Sequence, residues 1–213
     1  MQILPEQLED YIAKHSQEEP QLLKELRRET HLKILQPRML SGHYQGRFLS
    51  IISKLISPKN ILEIGTYTGY SALCLAEGLK INGELHTIDI NEELYDFQRK
   101  YFDRSEFVNK IHQHVGNALE IIPSLNKTFD LVFIDADKED YINYFNIIID
   151  KVNSGGVILS DNVLWSGKVL DGENQIDEAT KSLVAYNKMM NDDERIESIL
   201  LPIRDGLTIS RKK

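Results

Sequence analysis

Ile61-Leu62-Glu63-Ile64-Gly65-Thr66-Tyr67-Thr68-Gly69-Tyr70-Ser71 changes, within one short stretch, from apolar β-formers to small and polar residues. Ile61, Leu62 and Ile64 suit a buried parallel strand, and Gly65 and Gly69 permit a tight turn. Ser71 then opens the periodic run Ala72, Leu73, Leu75, Ala76 and Leu79, which predicts a helix over Ser71 to Leu79. Strand, glycine turn and helix N-terminus together form the nucleotide cradle of an open α/β sheet.

The glycine spacing narrows the choice of nucleotide. A dinucleotide fingerprint needs G-x-G-x-x-G, whose middle glycine lets a pyrophosphate approach the backbone. Here Tyr67 stands where bare backbone is wanted. A cofactor without a diphosphate, S-adenosylmethionine, fits better. Asp89 closes the next apolar strand, Leu85, Thr87 and Ile88, where its carboxylate can accept from both ribose hydroxyls.

Outward from the cradle the pattern alternates. Strands are expected near Glu84 to Ile88, Lys110 to Val115, Leu131 to Ile134 and Gly156 to Ser160. Helices are expected at Glu92 to Arg104, Ala118 to Ile122 and Tyr141 to Lys151. This predicts an α/β fold with a right-handed, mostly parallel, Rossmann-like sheet and helices on both faces. Ile196 to Leu201 and Leu207 to Ser210 are separated only by a short turn, so they form an antiparallel hairpin. A parallel sheet finished by such a pair is the architecture of class I methyltransferases.

Upstream, Glu6 to Lys14 and Gln21 to Leu35 read as amphipathic helices split at Glu19-Pro20, the second ended by Pro37. Leu22, Leu23, Leu26, Leu32 and Leu35 make its apolar stripe, beside a basic group of Arg27, Arg28, Lys33 and Arg38. Ser41 to Gly46 reads as a turn, and Arg47 to Ile56 as a third helix with Phe48, Leu49, Ile52, Leu55 and Ile56 inward.

At 213 residues and 41 % hydrophobic content the chain supports one substantial core, so 1–213 is read as a single domain with 1–40 as an N-terminal helical segment. A net charge of −8 argues against nucleic acid and anionic membranes as bulk partners. The single cysteine, Cys74, sits among apolar neighbours and reads as a buried small hydrophobe. With an acidic N-terminus and no long apolar run, the expectation is a cytoplasmic protein.

The chemistry concentrates at two strand ends. Leu131 to Ile134 runs into Asp135-Ala136-Asp137-Lys138, and Val157 to Ser160 runs into Asp161-Asn162. Asp135, Asp161 and Asn162 thereby reach the carboxyl edge of the sheet, where open α/β folds bind ligands. Three oxygen donors without Cys or His suit a hard divalent cation, Mg²⁺ first, with Mn²⁺ or Ca²⁺ as alternatives. His112 and His114 share a strand face, but no third ligand lies within sequence reach, so a structural or exposed role is expected. Trp165 is read as a wall against an aromatic acceptor, and Ser166 to Gln175 as a loop over it.

LEIGTYTGYSAL, HTIDI, GNALEIIP, FDLVFIDADKEDYINYF, GGVILSDNVLW and LPIRDGLTISRK together resemble the cation-dependent O-methyltransferases of the caffeoyl-CoA and catechol type, over about Met39 to Lys212. The resemblance implies Asp135, Asp161 and Asn162 as metal ligands and Lys138 as the catalytic base, in contact with substrate. It implies a cofactor site of Met39, Ser41, Glu63, Gly65, Thr66, Tyr67, Ser71, Asp89, Ala118, Asp135 and Asp137. It further implies an acceptor that is a small aromatic with two vicinal hydroxyls, one of which loses its proton to Lys138 and takes the methyl of S-adenosylmethionine. Two other readings stand beside it: methylation of a hydroxylated RNA base, favoured by the basic group, and a nucleotide-binding dehydrogenase or non-catalytic cofactor sensor. The leucine surplus of the N-terminal segment leads to the expectation of a homodimer, with that segment at the interface or over the active site.

Overall fold

β1 (Asn60–Ile64) is buried on both faces, as its apolar sequence demands, and it pairs in parallel on one side with β2 (Glu84–Asp89) and on the other with β4 (Phe129–Ile134). The structure is a computed structural model that describes residues 5–172 and 176–213. β3 (Ile111–Val115) flanks β2, and β5 (Val152–Asp161) flanks β4, both in parallel. β7 (Leu207–Lys212) then inserts antiparallel between β5 and β6 (Ile196–Leu201). The seven-stranded order is β3-β2-β1-β4-β5-β7-β6. The order reverses direction between β1 and β4, so the binding crevice is expected at their carboxyl ends.

The helices are α1 (Glu6–Lys14), α2 (Gln21–Lys33), α3 (Gly42–Ile56), α4 (Tyr70–Ala76), α5 (Tyr95–Phe102), α6 (Ala118–Ser124), α7 (Tyr141–Ile148) and α8 (Glu178–Asp192). Two apolar layers result. One, with Leu62, Val132, Phe145 and Tyr186, packs under α6, α7 and α8; the other, with Ile61, Leu49, Leu73 and Phe133, packs under α3 and α4. Cys74 is fully buried in the second layer, as expected.

Several boundaries differ from the sequence expectation. The segment Ser41 to Gly46 is not a free turn, because α3 already begins at Gly42 and buries Gln45, Gly46 and Arg47. Gly46 is where α3 meets α4: an added Cβ would lie 2.6 Å from the Tyr70 ring and 2.9 Å from the Cys74 sulfur. Leu55, expected inward, is 77 % exposed because it falls on the solvent side of that helix. α4 stops at Ala76, short of Leu79, and the helices expected at Glu92 to Arg104 and Tyr141 to Lys151 each divide into an α-helix and a tighter turn. α8 was not anticipated, although Asp177 caps it by accepting from the Thr180 N–H at 2.8 Å and its buried Leu183, Tyr186 and Met190 keep helical spacing. α2 ends at Lys33, and its apolar stripe splits: Leu23 and Leu26 are buried, whereas Leu32 and Leu35 are exposed. The expected loop over the acceptor opens with a kinked turn, Trp165–Leu170, and 173–175 lie outside the described residues. Among the described residues, no helix is long and apolar enough to cross a membrane.

Candidate active site

Gly65 sits at the switch point, its N–H donating to the Ile88 carbonyl at 2.9 Å while the Asp135 N–H donates to Ile64. The φ of Gly65 is +98°, and a side chain there would run into the Asp135 carbonyl, so only glycine lets β1 and β4 end this close together. Tyr67 follows at φ 48° and is held from three sides. Its N–H donates to Asp89 Oδ2 at 2.7 Å, its carbonyl accepts from Gln98 at 2.7 Å, and its hydroxyl donates to the Gln36 carbonyl at 3.1 Å. The tyrosine that argued against a pyrophosphate site is thus the clamp between the turn and the N-terminal segment.

A cavity of about 820 Å³ opens over this turn, its walls including Leu35, Met39, Gly65, Tyr67, Asp89, Ala118, Asp135 and Asp137. Most of the cofactor residues named from sequence therefore converge. Four lie elsewhere. Ser41 lines a separate cavity of about 470 Å³ with Arg27, Arg38 and Arg204, and its carbonyl accepts from Arg204 at 2.6 Å. Thr66 is buried with its hydroxyl against Thr87, so its side chain is turned from the cavity. Glu63 and Ser71 lie buried beneath the turn, Glu63 accepting from Thr87 at 2.6 Å. Burial pushes the Glu63 carboxyl up to about 8, opposed by the Ser71 and Thr87 hydroxyls and reinforced by Asp135 and Asp89. Glu63 Oε1 is buried with no hydrogen-bond partner.

One strand over, the second half of the edge is assembled. Asp161, at the end of β5, is 1 % exposed, and burial followed by the nearby Asp135 carboxylate pushes it up to about 7. Gln45 donates to its Oδ2 at 2.6 Å, and the Asn162 N–H donates to its Oδ1 at 2.9 Å. Asn162 itself turns the chain at φ 58°, a conformation asparagine tolerates. Lys138, only 7 % exposed, donates to Asp135 Oδ1 at 3.0 Å and to the Tyr141 hydroxyl at 2.8 Å. Tyr141 in turn donates to the Asp161 carbonyl at 2.8 Å, and burial keeps its phenol well above the usual range, hence protonated. The Lys138 amine lies 5.9 Å from the centre of the Trp165 ring, so the indole stands beside this lysine.

Gln45, Tyr141 and Arg204 escaped the sequence reading. Arg204 donates to Gln45, to Ser41 and, at 3.2 Å, to the Leu40 carbonyl, locking the β6–β7 turn onto α3. Only Tyr141 carried a local signal, standing one helical step from Lys138 in the same acidic stretch. His112 is exposed and His114 half-buried, and the sheet also brings Glu84 and His86 close to His112.

A parallel sheet in this order, with a glycine turn after β1 and an acidic end to β2, defines a class I methyltransferase. The O-methyltransferase family model matches residues 13–213. A caffeoyl-CoA O-methyltransferase of Nicotiana tabacum is 38 % identical, over 91 % of this chain and 85 % of its own. The SAH-bound methyltransferase of Podospora anserina superposes with a TM-score of 0.90 at 29 % identity, covering 99 % of this chain and 98 % of that one. A Streptomyces achromogenes O-methyltransferase in complex with SAM gives a TM-score of 0.88 at 27 % identity, covering 97 % and 96 %. The chain belongs to this O-methyltransferase family, and its activity is S-adenosylmethionine-dependent transfer of methyl to oxygen.

Proposed function

We propose that this chain methylates one hydroxyl of a small aromatic molecule bearing two adjacent hydroxyls, with Asp135, Asp161 and Asn162 holding a divalent cation and Lys138 taking the proton. The observation that carries this reading is the placement of Asp135 and Asp161 at the ends of adjacent strands β4 and β5, where burial, and then the Asp135 carboxylate, raise the Asp161 carboxyl to about 7. Such a pair gains from added positive charge, and its oxygen donors suit Mg²⁺, then Mn²⁺ or Ca²⁺. A cation in this place supplies a lower pKa for a hydroxyl bound to it.

The remaining work falls to the chain's own side chains. Lys138 directs two N–H groups to Asp135 and Tyr141, which fixes its nitrogen at the edge where an acceptor hydroxyl must lie and leaves the remaining position, its lone pair, to take the proton. Trp165 offers an aromatic face beside that amine, so a flat ring is held against it. The 820 Å³ cavity takes the cofactor, with Asp89 facing its ribose and the walls excluding water. Leu35, Gln36 and Met39 also wall this cavity, so the N-terminal segment helps shape the site as well as offering its exposed leucines to a second copy in a homodimer. An RNA acceptor gains less support: of the four basic residues, Arg27 is paired with Glu19 at 3.0 Å and Lys33 with Glu29 at 2.7 Å, so half of that positive charge is already matched. The reading places the enzyme in the cytoplasm.

Incubating the enzyme with S-adenosylmethionine and a panel of catechols, flavonoids and hydroxycinnamoyl esters tests the proposal. Methyl transfer that stops with a chelator and returns with Mg²⁺ or Mn²⁺ supports it. Full turnover in excess chelator with metal-free reagents overturns the cation, and transfer to tRNA with strong salt dependence in place of any catechol overturns the acceptor.

A further inference from the structure

At the start of β2, far along the strand from Asp89, four side chains gather that the methyl-transfer site does not use. Glu84 and His86 share a strand face, and the parallel register sets His86 beside His112 and Ile88 beside His114. Side chains alternate along a strand, so His112 and His114 lie on one face of edge strand β3. The His86 ring stacks 4.9 Å from that of His112 and 5.2 Å from that of His114.

His86 is 6 % exposed, and its two ring nitrogens are treated unequally. Nδ1 lies 2.9 Å from His114 Nε2, but Nε2 is buried with no hydrogen-bond partner. A buried polar atom left without a partner is unfavourable and calls for an occupant. Glu84 Oε2 is 3.6 Å from that nitrogen, too far for a hydrogen bond, and 3.3 Å from His112 Nε2. All three donor atoms fall within 4.8 Å of one another.

We propose that Glu84, His86 and His112 form a second metal site, for a divalent transition ion of the imidazole-preferring class represented by Zn²⁺. Two imidazoles and a carboxylate are the ligand set this ion favours, in contrast to the all-oxygen set of Asp135, Asp161 and Asn162. A tetrahedral ion with bonds of about 2.0 to 2.1 Å holds neighbouring ligand atoms about 3.3 Å apart. Two of the three edges, those from Glu84 Oε2 at 3.3 and 3.6 Å, are close to that spacing, and the third is no longer than 4.8 Å.

The surroundings complete the site. His86 Nδ1 and His114 Nε2 share one hydrogen bond; with Nδ1–H as its donor the Nε2 lone pair is left free, the usual outer support of a ligating histidine. Burial, and then the neighbouring His112, hold His86 down to about 4, so the ring is neutral. The planes of His86 and His112 are only 21° apart, so His112 must turn to point its nitrogen at a shared ion. Its side chain is 45 % exposed and can do so, leaving a fourth position for water. Lys127 occupies the other oxygen of Glu84, which leaves Oε2 for the ion and makes the site weaker than a closed four-ligand one. A bound ion would tie edge strand β3 to β2, and β3 leads directly into Gly116, Asn117 and Ala118 of the cofactor cavity wall.

The test uses the full chain carrying Asp161→Asn, which disables the oxygen centre. Calorimetry with ZnCl₂ should show one site unaffected by excess Mg²⁺, Co²⁺ should give a visible absorption band, and Zn²⁺ should raise the thermal midpoint. His112→Ala or Glu84→Gln in that background should each weaken Zn²⁺ by about tenfold or more and reduce the midpoint shift. His112 is half exposed, so its variant keeps the fold, which circular dichroism verifies. Unchanged Zn²⁺ affinity in His112→Ala, or absence of binding in the Asp161→Asn parent, overturns the proposal. Because the readout is binding and not turnover, failure here leaves the methyl-transfer reading intact, and loss of methyl transfer leaves this site testable.

Discussion

The two halves of the sheet's carboxyl edge use carboxylates in opposite ways. In the β1–β2 half, Asp89 is satisfied by the chain itself: one oxygen accepts from the Tyr67 N–H at 2.7 Å and the other from the Asn91 N–H at 2.9 Å. In the β4–β5 half, Asp161 is buried against Asp135, and its proton affinity rises to about 7. The first carboxylate orders the loops after β1 and β2; the second is arranged at a cost that added positive charge would relieve. A carboxylate at a strand end is therefore not one device: both accept from a backbone N–H, and what sets Asp161 apart is its burial and the second carboxylate beside it. Glu63 lies between these cases, in the first half by position but raised to about 8 by burial.

The largest effect on turnover is expected at Lys138. Lys138→Met should lower turnover by on the order of 10² to 10⁴ while the cofactor still binds; it also removes a partner of Asp135 and Tyr141, so a thermal melt checks that the fold is kept. Retained turnover with an unaltered pH profile would move the base to another residue. Next comes Asp161→Asn, which keeps an acceptor for Gln45 but removes the buried charge. Turnover should fall by on the order of 10² to 10³ and chelator sensitivity should vanish, while the thermal midpoint of the metal-free protein holds or rises. A clear drop in that midpoint would mean that Asp161 is a structural carboxylate like Asp89, and the contrast between the halves would collapse.

Asp89→Ala should weaken S-adenosylmethionine by on the order of 1 to 3 kcal/mol in calorimetry. Because Asp89 also holds Tyr67 and Asn91, Asp89→Asn sharpens the point: it should recover part of the loss through the one backbone contact that its amide oxygen retains. Equal losses in both variants would assign the whole effect to the ribose. The smallest change in turnover is expected for Glu63→Gln, read instead as stability against pH. The folded-state value of about 8 lies above the ordinary 4.5, so between those values the folded protein keeps a proton that the unfolded chain has released. Stability of the parent should decline from about pH 5 to pH 8 relative to the variant. A constant difference between the two melting curves across that range would show that Glu63 ionises normally.

Sequence alone determined the parts whose physics is local. Strand, glycine turn and helix around Gly65 follow from period and backbone freedom, and Asp135 and Asp161 were legible because each ends an apolar run that must be a buried strand. The C-terminal hairpin was legible from its short turn, though not the insertion of β7 beside β5, since strand order depends on what each face must cover. Tertiary structure alone decided the supporting contacts. Gln45 reaches Asp161 across 116 residues, and Arg204 reaches Ser41 across 163, and no pattern within either segment announces the other. The same holds for Glu84, His86 and His112, which a parallel register brings side by side. Periodicity reports which face of an element is buried, whereas register and strand order, set by the summed packing of the whole core, decide which distant side chains share that face.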